Sequence, residues 1–236
     1  MRLPLSILGI TGKMGRRLLA LAARDENVHL VGGCAHSSHT NEPDLQALLC
    51  STPEQALASC QVAIDFSSPY ATQRHVEAAR AAHKGLVIGT TGLSSEDLAC
   101  IQAAAREIPI VLSPNFSVGV ALCLQAIATL SQQLGQVHID ITETHHLHKK
   151  DKPSGTALAF AQATQQEHIP IHSIRTGEVV GEHLIRFQWG EESIELKHTA
   201  HSRDVFALGA LQAAKRLVHQ PPGLYSLKDL YRETVS

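Results

Sequence analysis

The chemistry in this chain concentrates in one run: Glu143-Thr144-His145-His146-Leu147-His148-Lys149-Lys150-Asp151-Lys152-Pro153-Ser154-Gly155-Thr156-Ala157. Three readings compete for it. A metal site on His145, His146 and His148 lacks a Cys or a suitably spaced fourth ligand, its histidines do not share a helical face, and the neighbouring lysines repel a cation. A solvated basic loop is the usual fate of a charge run. The third reading is a site for an anionic substrate with an acid catalyst. Histidine titrates near neutrality and donates a proton. Lys149 supplies fixed positive charge, and Pro153-Ser154-Gly155-Thr156 opens a helix whose first N–H groups bind carboxylates. Reduction of a small dicarboxylate by hydride needs cationic clamps, a helix N-terminus and a proton source. This reading is favoured, with no metal.

A second motif, Gly9-Ile10-Thr11-Gly12-Lys13-Met14-Gly15, lies between a predicted strand and a predicted helix. There a dinucleotide pyrophosphate can meet backbone N–H groups at a helix N-terminus. The spacing is G-x-x-G-x-x-G rather than G-x-G-x-x-G, and a tight turn without a ligand is the competing reading. Strand, loop and helix units repeat downstream and favour binding. The adenosine ribose is expected at the end of the second strand, where the run is Gly33-Cys34-Ala35-His36-Ser37-Ser38. No acid stands there to repel a 2′-phosphate, and His36 and the two serines can donate hydrogen bonds to one. Gly89-Thr90-Thr91-Gly92 and Ser113-Pro114-Asn115-Phe116 fall at later strand ends, where ligands of open α/β sheets collect. Each alone reads as a turn. Together they suggest a nicotinamide shelf, with the Asn115 amide offering a donor and an acceptor to a carboxamide.

The elements that must position these residues follow from periodicity. Strands are predicted at Leu5 to Ile10, Val28 to Val31, Val62 to Phe66, Leu86 to Ile88 and Ile110 to Leu112. Helices are predicted from Met14, from Pro69 behind a Ser68 N-cap to about His83, and from Ser94, where Asp97 completes a capping box. Residues 36–55 read as loop with one short helix around Leu45 to Leu49. The rhythm implies a parallel, doubly wound sheet. It then changes: a long apolar helix over Val118 to Leu134, an alternating strand over Val137 to Thr142, a polar loop, and a helix from Gly155. Two alternating segments follow, His183 to Trp189 and Ser193 to His198, joined by a hairpin turn. A final helix over Val205 to Val218 precedes a Pro-Pro-Gly tail. The class is α/β, with a second domain built on a mixed or antiparallel sheet.

Composition bounds the partners. The 236 residues suit one large domain or two modest ones. A net charge of −2 gives no electrostatic footprint for nucleic acid or an anionic membrane. Five cysteines, an odd number without C-x-x-C spacing, point to reduced thiols in a cytoplasmic protein. The apolar run from Leu3 to Ile10 is too short and too interrupted for a signal peptide or a membrane span.

The motifs Gly9-x-x-Gly12-Lys13-Met14-Gly15, Gly89-Thr90-Thr91-Gly92, Ser113-Pro114-Asn115-Phe116-Ser117-Val118-Gly119-Val120 and Glu143-x-His145-His146-x-x-Lys149-x-Asp151-x-Pro153-Ser154-Gly155-Thr156-Ala157 resemble the 4-hydroxy-tetrahydrodipicolinate reductase family. The last is the most specific, and the resemblance runs from Leu5 nearly to the end. It implies an N-terminal Rossmann domain over 1–116 plus about 209–236. A second α/β domain with an open mixed sheet, over 117–208, would bind substrate and build a homotetramer. It implies NAD(P)H-dependent reduction of 4-hydroxy-tetrahydrodipicolinate to tetrahydrodipicolinate in diaminopimelate and lysine synthesis; with Ala35-His36 at the ribose position, both NADPH and NADH are expected, NADPH slightly favoured. It assigns Gly9, Ile10, Thr11, Gly12, Lys13, Met14, Gly89, Thr90, Thr91, Ser113, Pro114, Asn115 and Phe116 to the cofactor; His36 joins them from its place after the second strand. His145 becomes the principal proton donor and acceptor, Lys149 the second donor, and His146, Gly155 and Thr156 the holders of substrate carboxylates. Two departures stand out. Many relatives carry an acid followed by Arg where this chain has Ala35-His36, and many carry a longer segment between Glu167 and Gly181. The alternatives are another small Rossmann reductase of imino or amino acids, and a non-catalytic dinucleotide sensor.

Overall fold

A computed structural model describes residues 2–35 and 43–231. The chain divides into two compact units, one comprising Met1–Phe116 with Phe206–Ser236 and the other Ser117–Val205.

The first unit is a seven-stranded sheet. Its strands are β1 (Leu3–Leu8), β2 (Val28–Cys34), β3 (Leu49–Cys50), β4 (Val62–Asp65), β5 (Gly85–Ile88), β6 (Pro109–Leu112) and β11 (Gly223–Tyr225), in the order β11-β6-β5-β4-β1-β2-β3. Every pairing is parallel. β4 and β5 are buried at every position, as strands covered by helices on both faces must be. The covering helices include α1 (Lys13–Ala22), α3 (Pro53–Leu57), α4 (Pro69–Ala81), α5 (Ser95–Ala104) and, returning late in the chain, α8 (Asp204–Leu217). Leu57, Val76, Ala79, Ile101 and Ala104 from α3 to α5 pack on Leu8, Ala63, Leu86, Ile88 and Ile110 of the sheet.

Several local expectations are corrected. β1 ends at Leu8, so Gly9 and Ile10 belong to the turn. Thr52 caps α3 by accepting from Gln55 N–H. The stretch expected as loop with one helix holds α2 (Pro43–Leu48), β3 and the start of α3. Ser68 is the α4 N-cap but makes no side-chain cap bond; its carbonyl instead accepts from Thr72 Oγ1 at 3.0 Å. Ser94 and Asp97 do form the reciprocal capping box that opens α5. The Pro-Pro-Gly tail continues into β11, which adds a strand beside β6.

The second unit is a four-stranded mixed sheet in the order β10-β9-β7-β8. β7 (His138–His145) pairs antiparallel with β9 (Gly181–Trp189) and parallel with β8 (Ile171–Arg175), and β10 (Glu192–Ala200) closes a hairpin on β9. β7 runs three residues beyond the predicted strand, and β8 was not expected. One face carries the core: Ile139 and Ile141 of β7 and Ile185 and Phe187 of β9. Val120 and Ile127 of α6 (Val118–Leu134) and Ala157 and Phe160 of α7 (Gly155–Ala163) pack on that face. The two-residue period of β7 carries this buried face onward through Glu143 and His145.

Candidate active site

In the first unit the expected cofactor residues gather at the carboxyl ends of parallel strands. Gly9 to Gly12 form the turn after β1, and Lys13 and Met14 begin α1. Gly89 to Thr91 follow β5, and Ser113 to Phe116 follow β6. Gly9 has φ +83°, and a Cβ there would meet the Phe66 carbonyl oxygen at 2.8 Å. A Cβ at Gly89 would stand 2.3 Å from the Phe66 ring, and that ring meets Phe116 edge-on at 5.7 Å between centroids. Phe66, just past β4, therefore packs against all three loops. Sequence reading had placed it only as a strand end.

The helix start fits a dinucleotide phosphate. α1 opens on Gly12, with no side-chain cap bond and no acidic residue in its first turn. Its N-terminal amides and the positive end of its dipole are the usual seat of such a group. Arg16 Nε donates to the Thr11 carbonyl at 3.1 Å and ties the helix to the loop. Ser113 Oγ donates to the Asn115 carbonyl at 2.7 Å and so shapes the turn that carries Asn115. Ala35 ends the described part of the ribose loop, and His36, Ser37 and Ser38 lie outside the described residues.

Beside these loops lies a buried pair that sequence reading missed. The Asp65 carboxylate, fully buried at the end of β4, accepts from Ser67 N–H at 2.8 Å and contacts His75 Nδ1 at 2.9 Å and Thr90 Oγ1 at 3.4 Å. Burial works to lower the His75 pKa, but the Asp65 hydrogen bond, a further contribution from Cys34, and the Asp65 charge together raise it to about 9. His75 thus holds one oxygen of the Asp65 carboxylate while the other accepts from Thr90.

The second unit holds the residues expected to move protons. His145 ends β7 and is buried; its Nδ1 is hydrogen-bonded to the Glu143 carboxylate two residues earlier on the same face. That bond selects the tautomer with the proton on Nδ1, leaving Nε2 as the nitrogen open to gain or release a proton. Nε2 lies beside the β9 backbone, 3.1 Å from where a Cβ on Gly181 would stand, so any larger residue there would crowd it. Burial lowers the His145 pKa, Glu143 opposes this, and the charges of Lys149 and Arg175 add to the lowering; the net direction is down. For Glu143, burial pushes upward, but hydrogen bonds from Arg175, Ser173 and His145 hold the carboxyl below its ordinary range.

His183 meets His145 edge-on, with 5.0 Å between centroids, and its Nε2 lies 3.0 Å from Ser154 Oγ. Burial, with the His145 charge second, depresses its pKa to about 3. Ser154 caps α7 by accepting from Ala157 N–H at 3.2 Å. The neutral His183 thus fixes the start of the helix on which Gly155 and Thr156 are the first two residues. Lys149 Nζ pairs with Asp151 at 2.8 Å, and half-buried His146 has its Nε2 3.4 Å from Arg203. His145, Lys149, Gly155 and Thr156 therefore share one end of this unit. His148 and Lys150 are exposed.

Glu143, His145 and His183 place three ligand-type atoms within 4.8 Å of one another, a different triple from the three histidines weighed in the sequence. One Glu143 oxygen is held by Arg175 at 2.8 Å and the other by His145. A guanidinium already neutralises the carboxylate, so the donor set suits a hydrogen-bonded dyad better than a cation.

Glu143, Ser154, Arg175 and His183 were not singled out in the sequence as working groups. Glu143 and Ser154 stood inside the quoted motif, and the alternation running Ile139, Ile141, Glu143, His145 was the available signal. Arg175 and His183 meet this loop only through strand pairing.

Comparison with known proteins places the whole chain. The chain matches the family description "Dihydrodipicolinate reductase, N-terminus" over residues 3–116 and "Dihydrodipicolinate reductase, C-terminus" over 119–231. It is 40% identical over 225 residues to 4-hydroxy-tetrahydrodipicolinate reductase of Xanthomonas campestris pv. campestris, covering 94% of each chain. It is 39% identical over 255 residues to the protein of the same name from Thermomicrobium roseum, covering 97% of this chain and 99% of that one. A dipicolinate-bound dihydrodipicolinate reductase from Paenisporosarcina sp. TG-14 shares the fold, with a TM-score of 0.83, 24% identity, and 97% and 99% of the two chains covered. With both halves matched and relatives of this identity covered nearly end to end, the chain belongs to the dihydrodipicolinate reductase family.

Proposed function

We propose that the chain catalyses the NAD(P)H-dependent reduction of 4-hydroxy-tetrahydrodipicolinate to tetrahydrodipicolinate, the activity its relatives' names give, within diaminopimelate and lysine synthesis. The observation that carries the reading is the Glu143–His145 dyad set beside Lys149 and the α7 N-terminus. Such a group of residues binds anions and moves a proton. A dinucleotide sensor has no use for it.

In this account the substrate's carboxylates rest on His146, Lys149 and the first amides of α7 at Gly155 and Thr156. Gly9 to Met14 hold the dinucleotide phosphates; Gly89 to Thr91 and Ser113 to Phe116 hold the nicotinamide end. Loss of the hydroxyl as water leaves a conjugated dihydrodipicolinate, and a reduced nicotinamide held there would supply hydride to the carbon that carried the hydroxyl. Negative charge then spreads over the conjugated ring. Lys149 stabilises it as a fixed cation, and the proton comes from Lys149 Nζ or from Nε2 of His145 once that ring carries a proton on both nitrogens. Buried Glu143 holds the Nδ1 proton, so that a second proton is gained and released at Nε2.

Ala35 at the ribose position neither bonds the ribose hydroxyls nor repels a phosphate, so both cofactors serve, NADPH somewhat better. The working form is a cytoplasmic homotetramer. Among the described residues no helix is long and apolar enough to cross a membrane. The test is a panel assay: nicotinamide oxidation with synthase-generated substrate against a set of cyclic imino acids. Turnover restricted to the dicarboxylate supports the reading, and preference for a monocarboxylate imine moves it to the rival reductase class.

A further inference from the structure

Arg175 ends β8, and its side chain is only 6% exposed. Its guanidinium has three separate attachments on the proton-donor loop. Nη2 donates to Glu143 Oε1 at 2.8 Å and to the Asp151 carbonyl at 2.5 Å, and Nε donates to the Lys149 carbonyl at 3.3 Å. Nη1 is turned back onto the Ile174 carbonyl at 2.7 Å, which fixes the fork to its own strand. Backbone bonds run alongside: Thr176 N–H donates to the His145 carbonyl at 2.9 Å and Leu147 N–H to the Gly177 carbonyl at 3.3 Å.

We infer that Arg175 is the positioning residue that holds both proton donors at once, His145 through the Glu143 carboxylate and Lys149 through its own backbone. The inference rests on the roles proposed above for His145 and Lys149. The chemistry selects arginine. A planar fork can serve a carboxylate and two carbonyls lying in different directions, whereas an ammonium is a point charge on a flexible stem. Glu143 is fully buried, and its charge needs a cationic partner besides the hydrogen bond to His145. Among the described residues, the charged and titratable groups set around His145 are Glu143 on its own strand, Arg175 on β8, His183 on β9, and Lys149 with its partner Asp151 on the loop. Displacing the loop by an ångström moves both donors, and misplacement of that size costs about a hundredfold in rate.

Two variants separate positioning from plain structural support. Arg175→Lys keeps the charge and loses the fork. Its expected behaviour is a melting temperature near wild type, unchanged NADPH affinity in the first unit, and kcat lower by about tenfold to a hundredfold. His145, followed by NMR in protein labelled with 15N-histidine, should titrate as in wild type. Arg175→Gln also removes the charge, and there His145 should titrate at higher pH, because a cation that disfavours its protonation is gone. A residue that only supports the fold would lower the yield of folded enzyme without changing kcat per folded site. Wild-type kcat in Arg175→Lys overturns the inference, as does an unchanged His145 titration in folded Arg175→Gln. If Arg175→Gln does not fold, kcat of Arg175→Lys decides alone. If wild type itself fails to turn over the substrate, the proposed function fails, and the His145 titration still tests what Arg175 holds.

Discussion

Acidification should cost the second unit a defined amount of stability through one side chain, His183. In the native chain its pKa is depressed to about 3 by burial, with His145 as the next cause; in the unfolded chain it returns to 6.5. The sign follows from proton counting. Between those values the unfolded state binds a proton that the native state refuses, so stability falls as pH falls. Because native His183 stays neutral throughout, the loss from pH 7 to pH 5 is set almost wholly by the unfolded chain, at about 2 kcal/mol. His183→Gln keeps an amide within reach of Ser154 Oγ and removes the titration. The fall in unfolding free energy between pH 7 and pH 5 should therefore be about 2 kcal/mol smaller in the variant than in wild type. The assay is urea unfolding followed by Trp189 fluorescence. Trp189 is the chain's one tryptophan, lies on β9 with His183, and packs against the second unit's core, so it reports on that unit directly. Equal pH dependence in the two proteins would refute the argument.

Other expectations follow from the same geometry. His145→Gln and Lys149→Ala should each lower kcat by about 10² to 10⁴-fold with little change in cofactor affinity, measured by steady-state kinetics and nucleotide titration. Activity should survive exhaustive chelation, because Arg175 and His145 already occupy both Glu143 oxygens; stoichiometric zinc with chelator-sensitive turnover would revive a metal site on Glu143, His145 and His183. Ala35→Glu should shift preference to NADH and His36→Arg to NADPH, read as ratios of kcat/KM. A wild-type preference for NADH of about a hundredfold, equivalent to about 2.7 kcal/mol, would show that the ribose site is misplaced.

Much of the fold was legible because local signals agreed with the final packing. The apolar period over Val118 to Leu134 gave α6 with its observed ends, and Ser94 with Asp97 gave the start of α5. Other elements were hidden for physical reasons. β7 looked finished at Thr142 because its next inward residues are Glu143 and His145, polar groups on a core face that only paired charges and hydrogen bonds make tolerable. β8 is a half-buried strand beside β7 and shows weak alternation. β11 is three residues long and exists only because β6 offers it an edge. In the candidate site, the motif spacing made His145, Lys149 and the α7 start visible. Arg175, His183 and the Asp65–His75 pair were not, since each meets its partner across strands or from a neighbouring helix, where linear spacing carries no information.

Hydride transfer to the substrate ring is the central claim, and isotope transfer tests it most directly. With cofactor deuterated at the transferable position of nicotinamide C4 and synthase-generated 4-hydroxy-tetrahydrodipicolinate, the account predicts one deuterium in tetrahydrodipicolinate, on the carbon that carried the hydroxyl. His145→Gln should lower the rate without moving the label. Label at another carbon, or cofactor oxidation that leaves the product unlabelled, would contradict the account.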